Sequence, residues 1–204
     1  ADRERVTVED LLAHCSGLPG TLPLYESCAG REQFERAIGA TPLQYAPRSG
    51  AVYSDLGFIL LGFVIEDAAR APLDAQVEEL SRGLQPTGHA PFGYRRMSRE
   101  ASFPACIAPT RRDPWRGRLL CGEVDDSNAA ALDGVAGHAG LFGTTSAVGA
   151  FAGAVLRTSL GRADGGLPGG PATLARFLRR TSVPGSSRAR GWDTMLPTSS
   201  CGTR

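Results

Sequence analysis

Three short runs carry side chains that could do chemistry. His14-Cys15-Ser16 sets an imidazole, a thiol and a hydroxyl in a row, the ingredients of a nucleophile and its base. The run leads straight into Gly17-Leu18-Pro19-Gly20, and Ser16 lacks the G-x-S-x-G elbow that presents a nucleophilic serine. A helix-ending turn is therefore the reading for His14 to Gly20. His138 lies inside Gly134-Val135-Ala136-Gly137-His138-Ala139-Gly140, where a loop imidazole bonding nearby backbone carbonyls is the plainer assignment. Tyr53-Ser54-Asp55 puts a phenol, a hydroxyl and a carboxylate at the head of an apolar run. Asp55 is also a good helix cap. A metal-binding module made of His14, Cys15 and His138 is a weaker alternative, and no zinc is expected in it.

The 204 residues contain no lysine, so all 22 basic residues are arginine. Arginine stays protonated at any working pH, and no side chain here can act as an amine base. With 21 acidic residues the net charge is +1, which makes no electrostatic case for nucleic acid or membrane as a partner. The arginine groups (Arg95-Arg96, Arg111-Arg112 through Arg118, Arg179-Arg180) have acids interspersed and few aromatics beside them. They read as solvated surface rather than an RNA contact. The longest apolar run, Phe58 to Ile65, is far short of the ~20 residues that span a bilayer. Five cysteines (Cys15, Cys28, Cys106, Cys121, Cys201) form no C-x-x-C pair and read as reduced, mostly buried thiols.

The elements that must position these groups are mainly helices. Thr7 caps a short helix that Gly17 and Pro19-Gly20 stop. Further helices are expected over about Arg31–Ile38 and Leu56–Arg70, the latter apolar nearly all round and hence central and buried. After Pro72, Leu73, Val77, Leu80 and Leu84 fall at helical spacing. Gln85 to Leu132 is a loop-rich excursion with one weak strand signal, Leu119–Val124. Thr145-Ser146 starts a helix with Val148, Phe151, Ala152, Val155 and Leu156 on its apolar face. Gly161–Gly170 is a flexible stretch, and Pro171 opens a last helix. Glycine at 26 residues and proline at 14 are well above ordinary usage, which suits a helical fold with long loops.

Four stretches, in order, resemble the β-lactamase-related serine hydrolases: class C β-lactamases, penicillin-binding-protein-like peptidases and esterases. They are Val6-Thr7-Val8-Glu9-Asp10-Leu11-Leu12-Ala13-His14-Cys15-Ser16-Gly17-Leu18-Pro19; Tyr53-Ser54-Asp55-Leu56-Gly57-Phe58; Ile107-Ala108-Pro109-Thr110 with Arg116-Gly117-Arg118 and Gly122 to Ala129; and Gly134 to Phe142. The second is similar to the family's Tyr-x-Asn motif.

The resemblance implies an acyl-enzyme hydrolase in which Tyr53 relays the nucleophile's proton. A phenol ordinarily titrates near 10, so ionising one at neutral pH costs roughly 4 kcal/mol, offset in this family by the Ser-x-x-Lys lysine. That motif cannot occur here, because the chain has no lysine. The resemblance also implies that Asp55, and more weakly His138, contact substrate. Asp55 replaces the commoner asparagine and accepts hydrogen bonds only, which favours an esterase or peptidase over a β-lactamase. Asp125 stands where relatives often carry histidine.

Residues 1–204 are thus expected to form a single incomplete domain, mainly α with long loops. It would be the helical portion of the α/β β-lactamase/transpeptidase-like fold, with most of the central antiparallel sheet and the nucleophile helix lying outside the chain. Both ends look cut. The expected activity is hydrolysis of an ester, amide or β-lactam-like bond, silent in this chain alone. The alternative is a non-catalytic binding or scaffolding remnant. No cofactor is expected, and the partner of a completed enzyme would be a small-molecule or peptide-like acyl substrate. Compartment and oligomeric state are not legible.

Overall fold

A computed structural model describes residues 3–84, 92–98, 107–162 and 166–196. Among these the chain is helix-rich, with α1 (Val8–Leu12), α2 (Gly30–Ala40), α3 (Asp55–Ala69), α4 (Leu73–Leu84), α5 (Ser127–Ala131), α6 (Thr145–Ser159) and α7 (Gly170–Leu178). Strands β1 (Gly93–Tyr94), β2 (Arg112–Asp113), β3 (Arg118–Leu119) and β4 (Leu141–Phe142) form two small antiparallel pairs. Gly93 faces Phe142 and Tyr94 faces Leu141; Arg112 faces Leu119 and Asp113 faces Arg118. The strand expected over Leu119–Val124 stops at Leu119, since Leu120 turns inward to full burial and Gly122 takes φ +74°. Residues 85–91, 99–106 and 163–165, with Cys106 and Cys201, lie outside the described residues.

The chain divides into two compact units. The first comprises Ala1–Leu22, Thr41–Leu61 and Ala152–Arg204. Its α1 begins with a reciprocal cap: Thr7 Oγ1 accepts from the Asp10 amide at 3.2 Å, and the Asp10 carboxylate accepts from the Thr7 amide at 2.9 Å. This meets two of the helix's orphan donors. Leu11, Leu18, Leu56 and Ile59 are buried here, while Ala13, Cys15 and Val183 make a small cluster with Ala51 against it. A turn from Thr181 to Thr194 closes on itself through the Arg188↔Asp193 bridge.

The second unit comprises Pro23–Ala40 and Gly62–Phe151. Phe34, Ile38, Leu73, Leu120, Ala129 and Leu132 are buried in it. Arg116 is not a solvated residue: its side chain is only 6% exposed, paired with Asp113 and bonded to the Val124 and Asp125 carbonyls. Five fixed guanidinium donors let one arginine satisfy several buried acceptors at once, which its sequence neighbourhood did not disclose.

Two helices differ from expectation in the face they bury. In α3, Leu56, Ile59, Leu61 and Phe63 are buried, but Val64 and Ile65 are 40% and 44% exposed. Close packing is confined to the earlier turns, where Gly57 meets Leu11 and Gly62 meets Gly137 and Leu73. In α6 the buried stripe is Ala147, Ala154 and Thr158, whereas Val148 and Leu156 are 59% and 60% exposed. Small residues let a helix approach its neighbours closely, and the larger apolar stripe beside them is left outward. The thiols differ too: Cys15 is buried, Cys28 half-buried and Cys121 exposed, all three free.

Candidate active site

The site grows from the way the first two motifs are sewn together. His14 follows α1 in the left-handed region, φ +55°, a conformation that non-glycine residues hold only where surrounding contacts impose it. Its carbonyl accepts from the Val52 amide at 3.0 Å, and its ring Nδ1 accepts from the Ser54 amide at 2.9 Å. Ser54, fully buried, donates from Oγ to the Pro19 carbonyl at 2.7 Å and accepts from the Gly57 amide at 3.2 Å. The Asp55 amide then donates to the Gly20 carbonyl at 2.7 Å. The head of α3 is thereby docked on the turn after α1.

Ser54, rather than Asp55, is the residue whose side chain accepts from a free amide at the start of α3, that of Gly57. Asp55 occupies the first helical position, where the helix dipole favours a carboxylate. Among the described residues its side chain has no hydrogen-bond or ion-pair partner.

Tyr53 lies between the two anchored residues. The residue is 58% exposed, so its ring meets solvent on one side. On the other it packs at 36° on the His14 ring, centroids 4.6 Å apart, and His14 in turn stacks on Phe58 at 4.7 Å. The Arg188 guanidinium sits over the Tyr53 ring, 5.2 Å from its centroid, and pairs with Asp193 at 3.1 Å. Burial, then the Arg188 charge, hold the His14 imidazole down at about 4, with Asp193 acting in the opposite sense. His14 is therefore neutral at pH 7, and because Nδ1 accepts a hydrogen bond the ring proton belongs on Nε2.

Beneath this layer Asp10 accepts from Arg48 Nε and Nη2, each at 2.8 Å, and from Cys15 Sγ at 3.5 Å. Burial opposes the Asp10 charge, yet the bonds from Arg48 and Thr7 carry its pKa below the ordinary carboxylate value. Burial and the neighbouring Asp10 push the Cys15 thiol up to about 11. A cavity of about 360 Å³, lined in part by Asp10, Cys15, Arg48 and Ser182, opens beside this cluster.

His138 stands in the second unit. Its Nε2 lies 2.8 Å from Asp126 Oδ1 and its side chain is 3% exposed. The same carboxylate oxygen accepts from the Ala129 amide at 2.7 Å and caps α5. The ring thus bonds a carboxylate, where a backbone carbonyl was expected. Asp125, one residue earlier, pairs with Arg111 at 3.1 Å. No group of three or more His, Cys, Asp or Glu side chains that could hold a metal ion is found among the described residues.

Sequence reasoning singled out Tyr53 and Asp55 but passed over His14 as a turn residue and did not mark Arg188. The signal for His14 was its place between the helix end and Gly17; for Arg188 there was none, since Tyr53, the ring it covers, lies 135 positions away in the chain.

Comparison with known proteins places this arrangement. A family model described as "Beta-lactamase" matches residues 1–200. A putative D-alanyl-D-alanine carboxypeptidase of Escherichia coli is 32% identical over 169 residues, covering 70% of this chain and 37% of that protein. An N-acetylmuramyl-L-alanine amidase of Bacillus subtilis is 30% identical over 165 residues, covering 69% of this chain and 35% of its own length. Among solved structures, a penicillin binding protein from Bacillus halodurans superposes with a TM-score of 0.64 at 20% identity, over 93% of this chain and 57% of that one. SurE superposes with a TM-score of 0.63 at 21% identity, over 92% of this chain and 43% of that one. The chain belongs to the β-lactamase and penicillin-binding-protein-like serine hydrolase family, and it spans a little over a third of the length of the curated relatives it matches.

Proposed function

We propose that these residues are the helical, loop-bearing part of a serine hydrolase that cleaves an amide or ester through an acyl-enzyme, with Tyr53 as the proton relay. The carrying observation is the exposed Tyr53 phenol, anchored on both sides by the His14 bonds to Val52 and Ser54. In the reaction a serine Oγ bonds to the substrate's carbonyl carbon while the bond to the leaving nitrogen or oxygen breaks. Tyr53 passes the hydroxyl proton to that leaving atom. Water then attacks the acyl carbon, the bond from that carbon to the serine Oγ breaks, and the water's proton passes to the serine oxygen to release the acid.

The serine and its lysine would come from a Ser-x-x-Lys segment outside these 204 residues, and the remaining sheet strands likewise. Asp55, a free acceptor at the head of α3, suits the N–H of a peptide better than the carbonyl of a β-lactam. The relatives' names make D-alanyl-D-alanine peptides the first substrates to try, with activated esters beside them. His138, tied to Asp126, would shape the loop rather than touch the reacting bond.

The test has two arms. Reading the coding frame on both sides should reveal Ser-x-x-Lys upstream and a Thr-Gly motif downstream; stop codons on both sides would instead leave a non-catalytic remnant. The 204-residue chain should show no acyl-enzyme burst on an activated ester, whereas the completed enzyme should, losing about a hundredfold in kcat with Tyr53→Phe. Tyr53-dependent turnover by the 204 residues alone would overturn the reading.

A further inference from the structure

Five contacts converge on His14. Its carbonyl holds Val52 and accepts from Tyr45 Oη at 3.3 Å, its Nδ1 holds Ser54, and its ring lies between those of Tyr53 and Phe58. The anchored residues, 52 and 54, flank Tyr53, so the tyrosine's backbone is pinned on both sides while its ring is pressed from one face. The residue adopts φ +55° to do this, and such strain persists where the surroundings over-determine it. The charged groups acting on it are Arg188 and Asp193, both in the Thr181–Thr194 turn, with the Arg188 guanidinium 5.2 Å from the Tyr53 ring centroid.

We infer that His14 is a positioning residue for Tyr53: its unprotonated Nδ1 acts as the acceptor that fixes the Tyr53–Asp55 backbone, and its ring is the platform that sets the phenol's direction. The inference rests on Tyr53 being the proton relay and adds how the relay is aimed. A misdirected relay slows the chemical step with little effect on ground-state binding. The substituent that matters is thus the acceptor atom, and asparagine tolerates a positive φ and offers an oxygen at a similar place.

Two variants separate the roles. His14→Phe keeps an aromatic ring and removes the acceptor; His14→Asn keeps an acceptor and removes the ring. In the 204-residue chain, hydrogen exchange at the Ser54 amide should be slow, at least tenfold faster in His14→Phe, and within about threefold of the parent in His14→Asn. In the completed enzyme His14→Phe should lower kcat tenfold or more with KM within twofold, and His14→Asn should recover most of the loss. An unprotected Ser54 amide in the parent, or unchanged exchange in His14→Phe, overturns the inference. So does an unimpaired kcat in His14→Phe when Tyr53→Phe is inactive. If Tyr53→Phe itself retains full activity, the relay reading has failed, and the exchange data alone decide whether His14 holds this backbone.

Discussion

Arg48 grips the Asp10 carboxylate with both of its arms, Nε on one oxygen and Nη2 on the other, each at 2.8 Å. The aspartate is 3% exposed and also closes the Thr7 cap of α1. One side chain therefore ties the helix start to the loop before α3, which sets where Tyr53 emerges.

Replacing Asp10 with alanine removes the cap's return bond and leaves the Thr7 amide and the buried Cys15 thiol without their acceptor. The expected loss is about 2–3 kcal/mol, or roughly 4–12 °C in Tm. A thermal melt of Asp10→Ala beside the parent measures it, and a change under 1 °C would show that the cluster contributes nothing.

Gly17, in the S-G-L-P segment, has φ +88°, and a Cβ built there would press on the Tyr45 carbonyl oxygen. Gly17→Ala meets both a disfavoured dihedral and a backbone clash, and should cost about 2 kcal/mol or more. Urea unfolding checks this; an alanine variant as stable as the parent would mean the turn relaxes freely.

The imidazole of His14 titrates at about 4 in the folded chain against an ordinary 6.5. Between those values the unfolded chain binds the extra proton, so stability from this group rises with pH from about 4 to 6.5 and is level on either side. The gain across the window is about 3 kcal/mol. The unfolding free energy of the parent should accordingly rise by about 3 kcal/mol relative to that of His14→Asn between pH 4 and pH 7. Parallel pH profiles for the two proteins would contradict this.

Cys15, with its thiol pushed up to about 11, has only about one thiolate in several thousand at pH 7.5, and thiolate is the reactive form. Cys121 is exposed, and its Sγ donates to the Ile107 carbonyl at 3.3 Å. Iodoacetamide at pH 7.5, followed by peptide mapping, should label Cys121 at least tenfold faster than Cys15. Equal rates would mean that Cys15 is not enclosed as described.

Where one segment's own pattern decides its state, the sequence was sufficient. Leu73–Leu84 is the helix its spacing dictates, with Leu73 and Leu84 buried, Thr7 caps α1, and the four motifs identify the family that the comparisons establish. Local propensity and periodicity act within one or two turns, so such features survive whatever the tertiary setting.

The rest depended on residues distant in the chain. β1 and β4 are two residues each and pair across the whole stretch between them, too little sequence for a pattern of period two to register. Periodicity cannot say which of two adjacent stripes on α6 packs inward, and the small-residue stripe won. Asp55 and Ser54 are both able caps, and only the Pro19 carbonyl, reached across 35 residues, selects Ser54. The gathering of His14, Tyr53 and Arg188 is likewise a product of folding, because ring stacking and charge–ring contact act over a few ångströms and carry no signature along the chain.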